Sequence, residues 1–232
     1  MCGRFTLTAD TEQLQKTFPQ FSFPAQFAPR FNVAPTQPIL AVANDGKSAA
    51  DFFVWGLIPS WAKDPEIGNR LINARAETLA EKPSFRGSYR YRRCLIFADG
   101  FYEWKAQPGT KTKAPYFIRL ASGLPFAFAG LWGTWDSPDG SQLNSATIIT
   151  TEPNNLLATL HNRMPVILAE SEWRDWLDVD QHDTEWLQRL LVPAPDNAVT
   201  FYPIRTLVNR PRNNGPELLE RVPVTFPGGP TA

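Results

Sequence analysis

The chain has 232 residues, enough for one large domain with a proper core, and its 43% hydrophobic and 20% charged residues are a globular composition. Its 23 basic and 23 acidic residues cancel, which excludes a bulk attraction for polyanions and confines any nucleic-acid site to a local patch. The only cysteines are Cys2 and Cys94 and the only histidines His161 and His182, so no set has zinc spacing. No apolar run approaches a signal segment or a membrane span. No metal, no cofactor and a soluble cytoplasmic protein in a reducing compartment are therefore expected.

The chain opens Met1-Cys2-Gly3-Arg4-Phe5. An initiator methionine before a small residue is normally excised, which would make Cys2 the amino terminus. A terminal cysteine carries an α-amine of pKa about 7.7–8.0 beside a thiol near about 8.5, two nucleophiles on adjacent carbons, both partly reactive at neutral pH. Arg4 adds a fixed cation suited to phosphate.

Asp10 then caps a short helix through Leu14 and Phe18 that Pro19 ends. Four prolines between Phe21 and Pro38 mark an extended crossing. Strands at Ile39 to Ala43 and Asp51 to Leu57 flank Asn44-Asp45-Gly46, a hairpin signal. A loop follows to Leu71, then Ile72-Asn73-Ala74-Arg75 and a helical Ala76 to Leu79. Cys94 to Ala98 is a continuous apolar run typical of a strand buried on both faces, so Cys94 is expected to be a buried thiol, and Asp99-Gly100 breaks the run.

Further strands are predicted at Tyr116 to Leu120, Pro125 to Leu131 and Ser145 to Thr150. A helix opening at Thr151-Glu152-Pro153 buries Leu156, Leu157 and Leu160 and ends at His161. Amphipathic helices over Glu170 to Leu177 and Asp183 to Leu191 turn Trp173, Trp176, Trp186 and Leu190 inward. Many antiparallel-type strands with peripheral helices point to one α+β domain over residues 1–222, with a disordered tail over 223–232.

Charge is segregated along this chain. Arg70 to Arg93 holds seven basic and two acidic residues, whereas Glu170 to Glu185 holds seven acids and one base. The basic stretch reads either as a phosphate-binding face or as a solvated one. Glu103, between Tyr102 and Trp104 after the buried strand, is either a strand carboxylate paired with Lys105 or an arginine, or a general acid–base group whose pKa is raised by its apolar neighbours. His161 fits a structural hydrogen-bonding role or a catalytic one, and Asn73 a turn or a site residue.

Several ordered blocks bear on those alternatives: Met1 to Phe5, Phe31-Asn32-Val33-Ala34-Pro35, Trp55-Gly56-Leu57-Ile58-Pro59-Ser60-Trp61, Ile72-Asn73-Ala74-Arg75-Ala76-Glu77, Phe97-Ala98-Asp99-Gly100-Phe101-Tyr102-Glu103-Trp104 and Leu160-His161-Asn162-Arg163-Met164-Pro165. With Val208-Asn209 and Asn214 to Leu218 as a closing motif, the sequence resembles the SRAP (SOS-response-associated peptidase) family, whose members protect abasic sites in single-stranded DNA. Two departures stand out: the loop between Trp61 and Asn73 is long, and Ala62 stands where the family often has a second tryptophan.

The resemblance implies mainly antiparallel β-sheets in a barrel-like core with peripheral helices, and Cys2 as nucleophile with Asn73, Glu103 and His161 around it. It implies Arg4, Arg75 and Arg163 on phosphates, Thr150 as a lesser contact, and Trp104, Pro35 and Trp61 as apolar surfaces for DNA. The implied partner is single-stranded DNA containing abasic sites, including single-strand/double-strand junctions, met by a monomeric, nucleoid-associated bacterial protein. An abasic aldehyde would condense with the Cys2 amine and the thiol would close a thiazolidine, while "peptidase" would describe removal of Met1, by itself or by another enzyme. Two rivals remain at this stage: an N-terminal-nucleophile amidotransferase, which also begins Cys-Gly, and a non-covalent reader of single-stranded or modified DNA.

Overall fold

The computed structural model of the chain describes residues 2–107, 109 and 112–222. Met1 and the tail 223–232, read above as excised and as disordered, lie outside the described residues. In chain order the strands are β1 (Phe5–Leu7), β2 (Arg30–Val33), β3 (Pro38–Ala43), β4 (Ala50–Trp55), β5 (Asn73–Arg75), β6 (Arg93–Ala98), β7 (Gly100–Ala106) and β8 (Lys113–Leu120). They continue with β9 (Phe126–Asp136), β10 (Gln142–Thr151), β11 (Met164–Pro165), β12 (Ile167–Leu168) and β13 (Val199–Pro203). The α-helices are short: α1 (Thr11–Thr17), α2 (Arg86–Tyr91), α3 (Asn155–Ala158), α4 (Glu170–Leu177) and α5 (Thr184–Gln188).

Two sheets result. One has five strands in the order β13-β8-β7-β1-β2. In the other the path β10-β4-β3-β6-β9 returns to β10, because β9 and β10 also pair, which closes a barrel. All of these pairings are antiparallel except those of β10 with β4 and β5. The expected α+β fold with a mainly antiparallel, barrel-like core is the one observed.

Strand alternation explains how two cores share one wall. Cys94, Ile96 and Ala98 of β6 join Ile39, Trp55, Phe128 and Ile148, together with Cys2, Phe5, Phe101 and Ile118 from the five-stranded sheet. Leu95 and Phe97 face the other way, onto Leu14 and Phe18 and onto Trp173 and Trp176 of α4. Burying β6 on both sides is what its unbroken apolar run requires.

Asp99 turns the chain from β6 into β7 and so from one sheet to the other. Its carboxylate accepts from the Thr6 hydroxyl, from Thr8 N at 2.5 Å and Oγ1 at 2.7 Å, and from Ala9 N at 2.8 Å, tying this corner to the end of β1. At Gly100 any side chain would meet the Phe117 ring 2.1 Å away, so glycine alone fits.

Local structure departs from expectation where tertiary partners outweigh propensity. The β3–β4 hairpin is closed by a longer turn, because Asn44 is a buried connector: its Oδ1 accepts from Arg93 N at 2.9 Å and Trp132 Nε1 at 3.1 Å. Ala76–Thr78 is a 3-10 turn, and α2 forms inside the basic stretch that showed no helical signal. Thr151 ends β10 instead of opening a helix; α3 begins after Asn154, whose side chain accepts from Leu157 N at 2.8 Å. In α5 Leu187 is the buried residue; Trp186, and Leu190 just beyond the helix, are only partly covered.

Arg93 is the molecule's most unusual core residue. Wholly buried, its guanidinium donates to the carbonyls of Trp176 at 2.7 Å, Asp178 at 2.5 Å, Tyr89 at 3.2 Å and Arg90 at 2.7 Å, and so caps the C-terminal ends of α2 and α4 together. Burial lowers its pKa to about 10. Arg93→Met keeps the stem and strands these carbonyls, and it is expected to lower stability by about 3–5 kcal/mol, read as a lower urea midpoint, because each lost charge-assisted bond is worth about 1.5–3 kcal/mol before relaxation.

Candidate active site at the amino terminus

Cys2 lies just before β1 with no exposed surface, in the core shared by the two sheets. β1 pairs β7 with Phe5 opposite Phe101 and Thr6 opposite Gly100. Tyr102 N donates to the Arg4 carbonyl at 3.0 Å, which carries the pairing one step further and brings Glu103 level with Gly3. Short strands thus set Cys2 beside the carboxyl group of Glu103, which lies far along the chain.

β5 brings the third residue. Its backbone runs parallel to β10, Asn73 opposite Ile148, and Trp55 Nε1 pins the preceding Ile72 carbonyl at 2.9 Å. From there Asn73 Nδ2 donates to the Cys2 carbonyl at 2.8 Å. Its Oδ1 is buried and has no hydrogen-bond partner among the described residues, an open acceptor beside the cysteine.

His161 stands between α3 and β11. Its Nδ1 accepts from Arg163 N at 3.0 Å, with the Arg163 carbonyl 3.2 Å away.

Electrostatics couple three of the four, Cys2, Glu103 and His161. Burial pushes the Cys2 thiol up, and the negative charge of Glu103 pushes it further. Glu103 is also raised, first by burial, while nearby positive charge, that of His161 included, pulls the other way. The structure therefore joins Cys2, Asn73, Glu103 and His161. Burial and the Glu103 charge both favour the Cys2 thiol over the thiolate in the chain that still carries Met1.

The expected DNA contacts divide. Arg75 is exposed at the end of β5, and Trp61 is 58% exposed. Pro35 is half-buried in a turn where Thr36 adopts φ 70. Trp104 is half-buried, its Nε1 bonded to Asn209 Oδ1 at 2.7 Å. Arg4 Nη1 donates to Asn32 Oδ1 at 2.8 Å and the Val208 carbonyl at 3.0 Å, so this cation is anchored against the closing motif.

Thr150 has no exposed surface; its carbonyl instead accepts from Arg163 Nη2 at 2.6 Å. Arg163 itself is engaged by a residue to which no role was given. Glu77 accepts from Nη1 at 2.6 Å and from Nη2 at 2.9 Å. Ala62, in place of a second tryptophan, is buried, and its carbonyl accepts from Trp135 Nε1 at 2.7 Å, which fixes the backbone behind Trp61.

Clefts lie elsewhere. A groove of about 550 Å³ runs between Trp61 and α2, lined by Arg86, Tyr91 and Arg92, and a larger one of about 950 Å³ is lined by Thr8, Lys16 and Arg119. Neither includes any of the four grouped residues. Among the described residues no group of acidic, histidine and cysteine side chains could hold a metal ion, and no helix is long and apolar enough to cross a membrane.

Fold and grouping together define a class: mixed α+β proteins in which a cysteine just before the first strand meets an asparagine, a glutamate and a histidine beside the core that two sheets share, apart from both of these grooves. Within it the chain belongs to the SOS response associated peptidase (SRAP) family, whose model matches residues 1–211. It is 48% identical over 223 residues to the abasic site processing protein YoqW of Bacillus subtilis (strain 168), spanning 95% of this chain and 99% of that one. It is 31% identical over 268 residues to the abasic site processing protein HMCES of Rattus norvegicus, spanning 94% of this chain and 75% of the rat protein. The fold matches an X-ray structure of a Bacteroides thetaiotaomicron protein with a TM-score of 0.84 at 26% identity, covering 95% of this chain and 100% of that one.

Proposed function

We propose that this protein, like the relatives named for abasic site processing, protects abasic sites in single-stranded DNA, including those at single-strand/double-strand junctions, by joining them covalently to Cys2 once Met1 has been removed. The observation that carries the reading is the grouping itself: a cysteine main chain held by Asn73, beside a buried carboxyl whose proton affinity is raised. Residues 1–222 act as the working unit, as a monomer, in a bacterial cytoplasm and at the nucleoid.

The chemistry follows from these groups. His161 serves the proton transfer that opens the deoxyribose ring to its aldehyde. The Cys2 amine attacks the aldehyde carbon, forming a C–N bond and a carbinolamine. Glu103, biased toward its neutral form by burial, gives its proton to the hydroxyl, which leaves as water as the nitrogen lone pair forms the iminium. The buried thiol then adds to that carbon. Its S–H proton passes to the Glu103 carboxylate, restoring the acid, and the C=N electrons return to nitrogen, closing the five-membered thiazolidine. Asn73 Oδ1 is placed to accept from the freed amine. Arg4, Arg75 and Arg163 hold phosphates, and Trp104, Pro35 and Trp61 offer flat surfaces to unstacked bases; Thr150 acts behind Arg163.

Intact mass after mixing the protein with an abasic oligonucleotide tests the reading. The expected product survives denaturation and weighs the protein without Met1 plus the DNA less one water. Full crosslinking by molecules that retain Met1 overturns the mechanism, since an acylated nitrogen cannot form the imine.

A further inference from the structure

Under that reading Arg163 binds a DNA phosphate, yet in the free protein its fork is already filled. Both terminal nitrogens donate to Glu77, at 2.6 and 2.9 Å, and Nη2 also reaches the Thr150 carbonyl at 2.6 Å. The arginine side chain is 14% exposed and the glutamate 49%, so the carboxylate covers the fork from the solvent side. A phosphodiester presents two oxygens in the same bidentate geometry as a carboxylate, and one fork cannot serve both anions along the same edge.

We propose that Glu77 is a built-in stand-in for the phosphate, holding the Arg163 fork ready in the free protein and being displaced when single-stranded DNA binds. This inference rests on the reading that Arg163 contacts DNA. Displacement leaves a carboxylate beside a phosphate, which weakens non-covalent binding to every strand, intact or abasic. Only an abasic strand offsets that weakening, by forming a covalent bond. Glu77 is thus a specificity-determining residue: it keeps undamaged single strands from occupying the site. The Arg163 hydrogen bonds also hold the Glu77 pKa below the usual carboxylate range, so the pair is fully formed at neutral pH and is lost only on acidification through that lowered pKa.

The test is a double-mutant cycle on the full chain with a fluorescent, undamaged single-stranded oligonucleotide, read by anisotropy at fixed salt. E77Q is expected to bind about tenfold tighter, the scale of relieving one close like-charge contact, and to be inhibited more strongly than the parent when intact strand competes with abasic strand for crosslinking. In R163A, and in R163K, which keeps the charge but not the fork, the gain from E77Q is expected to shrink. Equal or weaker binding by E77Q overturns the proposal and makes Glu77 an anchor for the His161 loop. So does a gain that persists in full in the R163K background, which would reflect net charge alone. Failure of the parent to form any adduct with abasic DNA sinks the functional reading instead, and is scored separately from the anisotropy.

Discussion

Cys2→Ala is expected to abolish the denaturation-resistant adduct while leaving the protein folded and able to bind DNA. Only Sγ is removed, from a site with no exposed surface, so the cost to the core is that of one small buried group, about 1 kcal/mol. Alanine at position 2 is still released by loss of Met1 and still bears an α-amine. The Asn73 bond goes to the main-chain carbonyl of this residue and does not depend on the side chain. Imine formation therefore survives, and trapping is lost. Borohydride is expected to fix a fraction of the variant to abasic DNA, whereas gel analysis without it shows none. A stable adduct from Cys2→Ala would show that the thiol is not the trap.

The thiol's environment explains why the trap needs a neighbour. Burial and the Glu103 charge both favour S–H over thiolate, so under the proposed mechanism the sulfur would attack as its proton leaves rather than from a standing anion. A protonated thiol is also poorly nucleophilic toward adventitious electrophiles, which suits a residue that waits for a rare substrate.

Much of this site was legible in the sequence, for identifiable reasons. A carboxylate inside Phe-Tyr-Glu-Trp after an unbroken apolar strand is anomalous on composition alone, and the structure shows it buried. The Cys-Gly start stood out because a terminus offers chemistry that no internal position does. Partnerships across long separations left no trace: Glu77 meets Arg163 from 86 positions away, and Trp104 meets Asn209 from 105 away. The burial of Thr150 follows from pairings on both sides of β10, opposite Arg75 of β5 and Pro165 of β11, which no local pattern reveals. α2 was hidden because its arginines and tyrosines lack an apolar stripe of helical period; Tyr89 alone is buried, against Trp176. Barrel closure depends on the β9–β10 pairing, which the family resemblance implied only as a barrel-like core.

Glu103→Gln is expected to slow both formation and reversal of the adduct by about 10²- to 10⁴-fold, the usual worth of a positioned general acid–base group, with DNA affinity little changed. Glutamine keeps the shape of the side chain and a hydrogen-bonding end but cannot give a proton to the departing hydroxyl or take one from the thiol. Reversal passes through the same iminium, so the same group must serve it, and transfer of protein to excess competing abasic DNA slows in step. A second readout separates chemistry from architecture. Because burial raises the Glu103 pKa, the folded protein favours the neutral acid, and the stability this contributes is fully present below the ordinary carboxylate pKa and lost as pH rises through the raised one. Glutamine never ionises, so the variant is expected to melt higher than the parent at pH 8 and to match it near pH 4. A catalytic group that costs stability is expected to show both effects: slower chemistry and a more stable fold at alkaline pH. Parental rates of crosslinking and release in Glu103→Gln would make the residue structural, and a lower melting temperature at pH 8 would show that its ionised form is held by partners stronger than its burial.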